Sequence, residues 1–201
     1  LHPHTLLRFE VHVAEHCNLS CRDCLHFSPL AKEEFLDIDE YRKDCARLSE
    51  LFDSEVERLY LLGGEPLLHP NLVEIMKISR EAFRYGQIGI ITNGVLLPSM
   101  DDAFWAACKE YRIEVMPTKY PVTVDYDAVE KRAKQEGVFY HPHADKMPRM
   151  LRTPLSLKGD QPVERNYYAC NHSNNCLTLR HGRLYTCEIA AHAHHLKSIL
   201  I

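Results

Sequence analysis

No uninterrupted apolar run in this chain approaches the roughly 20 residues that a membrane-spanning helix requires. The opening segment LHPHTLLRFE also lacks the basic-then-apolar order of a secretory leader. These two absences make a cytoplasmic protein with no membrane partner the expectation. An excess of positive charge is missing as well: 24 Lys and Arg stand against 28 Asp and Glu, a formal charge of -4. A dedicated nucleic-acid binder needs a basic footprint for phosphate, so nothing indicates such a partner. Internal repeats and low-complexity tracts are absent too.

What the chain has in quantity is cysteine, eight among 201 residues. The chain is longer than a typical disulfide-stapled domain and shows no secretion signal, so metal binding or redox chemistry is the better expectation. With 45% hydrophobic and 26% charged residues it has the makeup of a soluble globular domain with a sizeable core. It begins at Leu1 within what reads as a strand and stops at LKSILI, which suggests a piece of a longer protein.

Short apolar runs alternate with segments of helical period from Phe9 to about Tyr140. FEVHVAE, RLYLLGG, IGIITNG, IEVMP and VFYH read as strands. DIDEYRKDCARLSELF reads as a helix with Tyr41, Cys45, Leu48, Leu51 and Phe52 on one face and an Asp cap. NLVEIMKISREAF follows Pro70 with Asn71 as its expected cap, SMDDAFWAACKEY opens on a capping box from Ser99 to Asp102, and DYDAVEKRAKQEG stops at Gly137. Cys45 and Cys108 fall on apolar helix faces and read as core. Such alternation implies parallel strands joined by right-handed crossovers, as an open doubly wound sheet or a complete or partial barrel. The ligand site then lies at the carboxyl ends of the strands. Cys17, Gly63-Gly64-Glu65-Pro66, Thr92-Asn93-Gly94 and Pro117-Thr118-Lys119 all converge there. After His141 a Pro-rich, charged stretch reads as a linker, and CLTLRHGRLYTCEI reads as a β-hairpin around His181-Gly182. The division expected is therefore 1–145 for the core and 146–201 for linker and hairpin.

CNLSCRDC places Cys17, Cys21 and Cys24 at C-x3-C-x2-C spacing on a turn leaving a strand. Soft thiolates select iron-sulfur clusters, copper(I) or zinc. A local fourth ligand is lacking, a defect for structural zinc but an asset for a catalytic cluster with an open iron. A zinc knuckle completed by His16 or His26 is the rival at this level.

With GGEP in LLGGEPLLHP and with IITNGVLL following in order, this motif resembles the signature of the radical S-adenosylmethionine superfamily over roughly Phe9 to Lys119. The resemblance implies an α/β fold, a partial (β/α)6 TIM-like barrel with a small C-terminal cysteine-containing β-hairpin region. It implies that Cys17, Cys21 and Cys24 hold a [4Fe-4S] cluster whose fourth iron is chelated by S-adenosylmethionine. Reductive cleavage of that cofactor would yield a 5'-deoxyadenosyl radical for hydrogen abstraction. Gly63, Gly64, Glu65 and Pro66 would meet the methionine end, with Glu65 accepting from its amino group, and Thr92 and Asn93 would contact the cofactor or cap the strand. The residue before the third cysteine is usually aromatic in that family and is Asp23 here, the aromatic character appearing at His26 and Phe27.

Cys170, Cys176 and Cys187 form a second group, and C-x11-G-x4-C through Gly182 resembles the opening of the SPASM extension. That likeness implies a second iron-sulfur cluster; zinc with His172, or three unrelated thiols, are the other readings. His192, His194 and His195 read as a solvated cluster rather than a metal tract. The expected activity is an oxidoreductase or maturase acting on a peptide, a protein or a small molecule, fed by a reductase or flavodoxin-like donor. A non-catalytic electron carrier and a zinc-binding module are the alternatives.

Overall fold

Strand β1 (Leu6–Ala14) organises the computed structural model, which describes residues 5–145, 155–156, 158–170, 172–173 and 176–197. It alternates Phe9, Val11 and Val13 with Glu10, His12 and Ala14, and all six are buried. Successive side chains of a strand point to opposite faces. One face of β1 is therefore apolar and the other largely polar, and burial of both puts the strand at the middle of a sheet.

β2 (Val56–Gly63), β3 (Gln87–Thr92) and β4 (Ile113–Pro117) extend the sheet in parallel on one side of β1. The crossovers carry α1 (Ile38–Leu51), α2 (Leu72–Ala82) and α3 (Asp102–Glu110), and α4 (Tyr126–Glu136) follows β4. On the other side β5 (Leu177–Arg180) pairs in parallel with β1, and β6 (Arg183–Tyr185) returns antiparallel to it. The strand order is β4-β3-β2-β1-β5-β6, a linear order that makes the sheet open. The α/β architecture is thus a partial barrel of four β/α units among the described residues, with the cysteine-flanked hairpin added to the same sheet.

The apolar faces of the strands pack under the helices. Phe9, Val11, Leu59, Leu61, Ile88, Ile90 and Val115 meet Tyr41, Cys45, Ile75, Met76, Phe104 and Trp105 in one core. Each fully buried large side chain there contributes on the order of 1.5–3 kcal/mol. Cys45 and Cys108 belong to this core, and burial pushes both thiols up to about 12.

Local chemistry fixes the helix starts. Asp37 accepts from Glu40 N at 2.8 Å, Asp101 from Phe104 N at 2.9 Å and Asp125 from Ala128 N at 2.9 Å, each supplying one orphan donor of the first turn with a partner. Gly137, at φ 72, closes α4. Several expectations are corrected. The Ser99 to Asp102 capping box does not form, because Ser99 closes its own 3-10 turn onto Leu96 O and Asp101 takes the cap. Asn71 occupies the cap position of α2 without a side-chain bond, its backbone N–H donating to His69 Nδ1 instead. Leu51 is 49% exposed, off the face defined by Tyr41, Cys45 and Leu48. VFYH makes an isolated bridge, Tyr140 with Val115, and not a strand. The expected linker contains a short helix, α5 (Val163–Ala169), while its residues 146–154 lie outside the described residues.

Candidate cofactor site

The chain leaves β1 at Ala14, and the next three residues lead into the cysteine loop. β2 ends beside it. Gly64 N donates to Ala14 O at 2.8 Å and Glu65 N to His16 O at 3.1 Å, so the GGEP turn is bonded directly to the base of the loop. A Cβ on Gly64 would stand 2.0 Å from His16 O, and one on Gly63, at φ 139, would stand 2.3 Å from Ala14 O. Only glycine permits this approach of two backbones.

Cys17, Cys21 and Cys24 line a cavity of about 120 Å³ together with Gly63, Gly64, Thr92 and Asn93. Thr118, Tyr120 and His26 also line it. Cys17 Sγ accepts from Leu19 N at 3.4 Å and from Asn93 Nδ2 at 3.6 Å, and the same amide nitrogen donates to Asn18 Oδ1 at 2.6 Å. Burial pushes the Cys17 thiol up to about 11, against those two bonds, and raises Cys21 as well. Thiols held protonated by burial become thiolates once a positive metal centre joins them. A donor set of three sulfurs facing one cavity fits an iron-sulfur cluster better than a structural zinc site, which takes four protein ligands.

The Glu65 carboxylate is bonded within its own turn and to the end of β3. Its side chain is fully buried and absent from the cavity wall. Oε1 accepts from Thr92 Oγ1 at 2.6 Å and Leu67 N at 3.1 Å, while Oε2 accepts from Asn93 N at 2.9 Å. Burial raises its carboxyl to about 7 despite these three donors. Glu65 thus ties the end of β2 to the end of β3, and Pro66 begins the 3-10 turn that it caps. Thr92 and Asn93 line the cavity and close turns, Gly94 N donating to Thr92 Oγ1 at 3.0 Å and Val95 N to Asn93 Oδ1 at 2.9 Å. Sequence reasoning passed over Tyr120 and left Thr118 unassigned. Their position just beyond β4, on the rim shared by the other motifs, was the available signal.

The second cysteine group sits across the sheet edge. Cys170 follows α5, Cys176 precedes β5, and Cys187 precedes α6 (Glu188–His192). His172, Cys176 and Glu188 bring ligand-capable atoms within 4.8 Å of one another, with His172 Nδ1 2.7 Å from Glu188 Oε1. Burial raises the Cys176 thiol to about 11. The terminal histidines are corrected: His192 is fully buried and His195 only 8% exposed at its side chain, not solvated. Both reach the carboxylate of Glu15, which sequence reasoning also missed.

An open, largely parallel sheet with three thiols and a glycine turn on its carboxyl rim is the framework of a cofactor-binding α/β protein. The radical SAM superfamily pattern matches residues 11–126, and the chain belongs to that superfamily, whose cofactors are a [4Fe-4S] cluster and S-adenosylmethionine. The chain is 36% identical over 91 residues to a GTP 3',8-cyclase of Chlorobaculum tepidum, covering 45% of this chain and 27% of that protein. It is 33% identical over 129 residues to the molybdenum cofactor biosynthesis protein 1 of Bos taurus, covering 60% and 19%. The chain therefore spans about a quarter or less of the length of these curated relatives. In fold it is similar to BtrN in complex with AdoMet and 2-DOIA, with a TM-score of 0.64, 21% identity and coverage of 92% and 74%.

Proposed function

We propose that Cys17, Cys21 and Cys24 hold the [4Fe-4S] cluster of this radical SAM enzyme and that S-adenosylmethionine binds against Gly63, Gly64, Thr92 and Asn93. The observation that carries the reading is the single cavity lined by the cysteine loop, the glycine turn and the end of β3. Held by Cys17, Cys21 and Cys24, such a cluster would supply the one-electron reduction of the S-adenosylmethionine sulfonium, and the protein would supply orientation and exclusion of water.

This chain's residues divide that labour. The cysteines offer soft ligands on a loop braced by Asn93. The glycines bring backbone to the cavity wall. Glu65 acts as a positioning residue, holding Thr92 and Asn93 at the rim through its two oxygens. The substrate proposed is a small organic molecule: one of the curated relatives is named for GTP cyclisation, and a structural neighbour was solved with 2-DOIA. An external one-electron donor of the reductase or flavodoxin type completes the scheme. Cys170, Cys176 and Cys187 are proposed as a second metal-binding group, supported by the convergence of Cys176 with His172 and Glu188.

The test is anaerobic reconstitution with iron and sulfide, reduction, addition of S-adenosylmethionine and assay of 5'-deoxyadenosine. The wild type is expected to form it, and the Cys17→Ala, Cys21→Ala, Cys24→Ala triple variant is not. A cluster that assembles without cleavage under strong reductants supports an electron carrier instead, and stoichiometric zinc with no iron refutes the reading.

A further inference from the structure

Glu15 lies two residues before Cys17, and partners from the C-terminal segment surround its carboxylate. His192 Nδ1 stands 2.9 Å and His195 Nε2 2.8 Å from Oε2, while Arg180 Nε stands 3.6 Å from Oε1. Burial alone would disfavour this charge, and these donors offset that cost. A bound cation is not needed to explain the arrangement. The His12 and His192 rings are stacked at 3.5 Å and 11°, so one ion cannot lie in both ring planes, and Arg180 already provides positive charge.

The bonds to Glu15 have a steric consequence. They fix α6 and the 3-10 turn Ala193–Leu196 against the end of β1. From that segment Ile189 and Leu196 form one side of a cavity of about 360 Å³ whose other side includes Cys21, Cys24, Phe27 and Pro29. This cavity lies on the flank of the cysteine loop away from Gly63, Gly64 and Thr92, none of which lines it.

We infer that Glu15 is a positioning residue that latches the C-terminal segment, so that Ile189 and Leu196 wall off the outer flank of Cys21 and Cys24 from solvent. The inference rests on the cluster assignment above only for its metal-loaded arm. An apolar wall there slows the approach of water, oxygen and chelators to the thiolate side of the site. Loss of an outer-shell partner typically costs a bound metal about 10–100-fold in affinity. The latch acts through packing, so the lower end of that range is expected.

The experiment uses the whole chain as wild type, Glu15→Ala, Glu15→Gln and Leu196→Ala. In the loaded protein, iron release to a chelator under anaerobic conditions is timed. Glu15→Ala and Leu196→Ala are expected to release iron roughly 10-fold faster, and Glu15→Gln, which keeps the shape but not the charge, less so. In metal-free protein, the alkylation rate of each cysteine is read by peptide mass. Cys21 and Cys24 are expected to react several-fold faster in Leu196→Ala, with Cys170 unchanged. Leu196→Ala leaves the Glu15 network intact, so it decides the matter even if Glu15→Ala fails to fold. Unchanged alkylation of Cys21 and Cys24 in Leu196→Ala overturns the wall. If the wild type loads no cluster but alkylation still rises in that variant, the cluster assignment fails and the wall stands.

Discussion

Cys17, Cys21 and Cys24 leave the central strand of the sheet and face a turn whose backbone is bonded to β1 and whose one carboxylate is saturated by three donors. Cys170, Cys176 and Cys187 flank elements at the sheet's far side, where α5 buries none of its residues and Val163 and Tyr168 are 78% and 73% exposed. The first group is held by long-range bonds between strand ends; the second has its own long-range tie, from α6 to Glu15, but also includes α5, which buries none of its residues. Elements of that last kind open at lower free energy. The difference teaches that preorganisation here is strongest at the rim of the parallel strands.

The largest effect that would break this comparison is expected at Gly64. Gly64→Ala places Cβ against His16 O at 2.0 Å, a clash with backbone that no side-chain motion relieves, and should cost about 3 kcal/mol or more together with the ability to hold iron. Urea unfolding and iron content check it. Gly159, with nothing within 4 Å of its Cβ position, is the matching control in the C-terminal region. At φ 65 its alanine variant should cost only about 1–2 kcal/mol.

A comparable effect is expected from pH. The Glu65 carboxyl is raised from 4.5 to about 7, so the unfolded chain loses this proton first and the ionised folded state carries the penalty. Its contribution is fully present below pH 4.5 and declines as pH rises to about 7, by about 3 kcal/mol. Glu15 acts in the opposite sense. Burial raises its carboxyl, but the neighbouring His12 and His192 outweigh this and hold it far below the usual range. Urea titrations of wild type and Glu65→Gln at pH 4.5 and 7.5 isolate the first group, because the Glu15 contribution is common to both chains. A wild-type and variant difference that does not change with pH refutes the assignment. The smallest effect is expected at Tyr168, whose replacement by Ser should shift stability by no more than about 0.5 kcal/mol; a larger loss in thermal unfolding would show that α5 is packed after all.

Much of this was legible in the sequence because it is local. The four strands announce themselves by apolar runs, α1 by Tyr41, Cys45 and Leu48, and α4 by Gly137, each through periodicity or a single backbone requirement. The order of motifs along the chain sufficed to bring Cys17, Gly64, Thr92 and Asn93 to one rim. What escaped depends on distant partners. Asp101 outcompeted Ser99 for a cap because Ser99 was already spent in its own turn. The inward turn of Glu65 follows from donors 27 and 28 residues later. The burial of His192 and His195 follows from Glu15, 177 and 180 residues earlier, and no local pattern distinguishes that outcome from solvation.

The parallel pairing of β1 with β5 also sets an order of events during synthesis. Residues 9–11 align with residues 177–179, so β1 gains its second neighbour only after β2, β3 and β4 have been made. Until β5 emerges, β1 displays a row of unpaired N–H and C=O groups beside its buried apolar face, the kind of edge on which chains add to one another. A nascent or truncated chain that lacks the hairpin therefore carries an aggregation template at the same strand that delivers the cysteine loop.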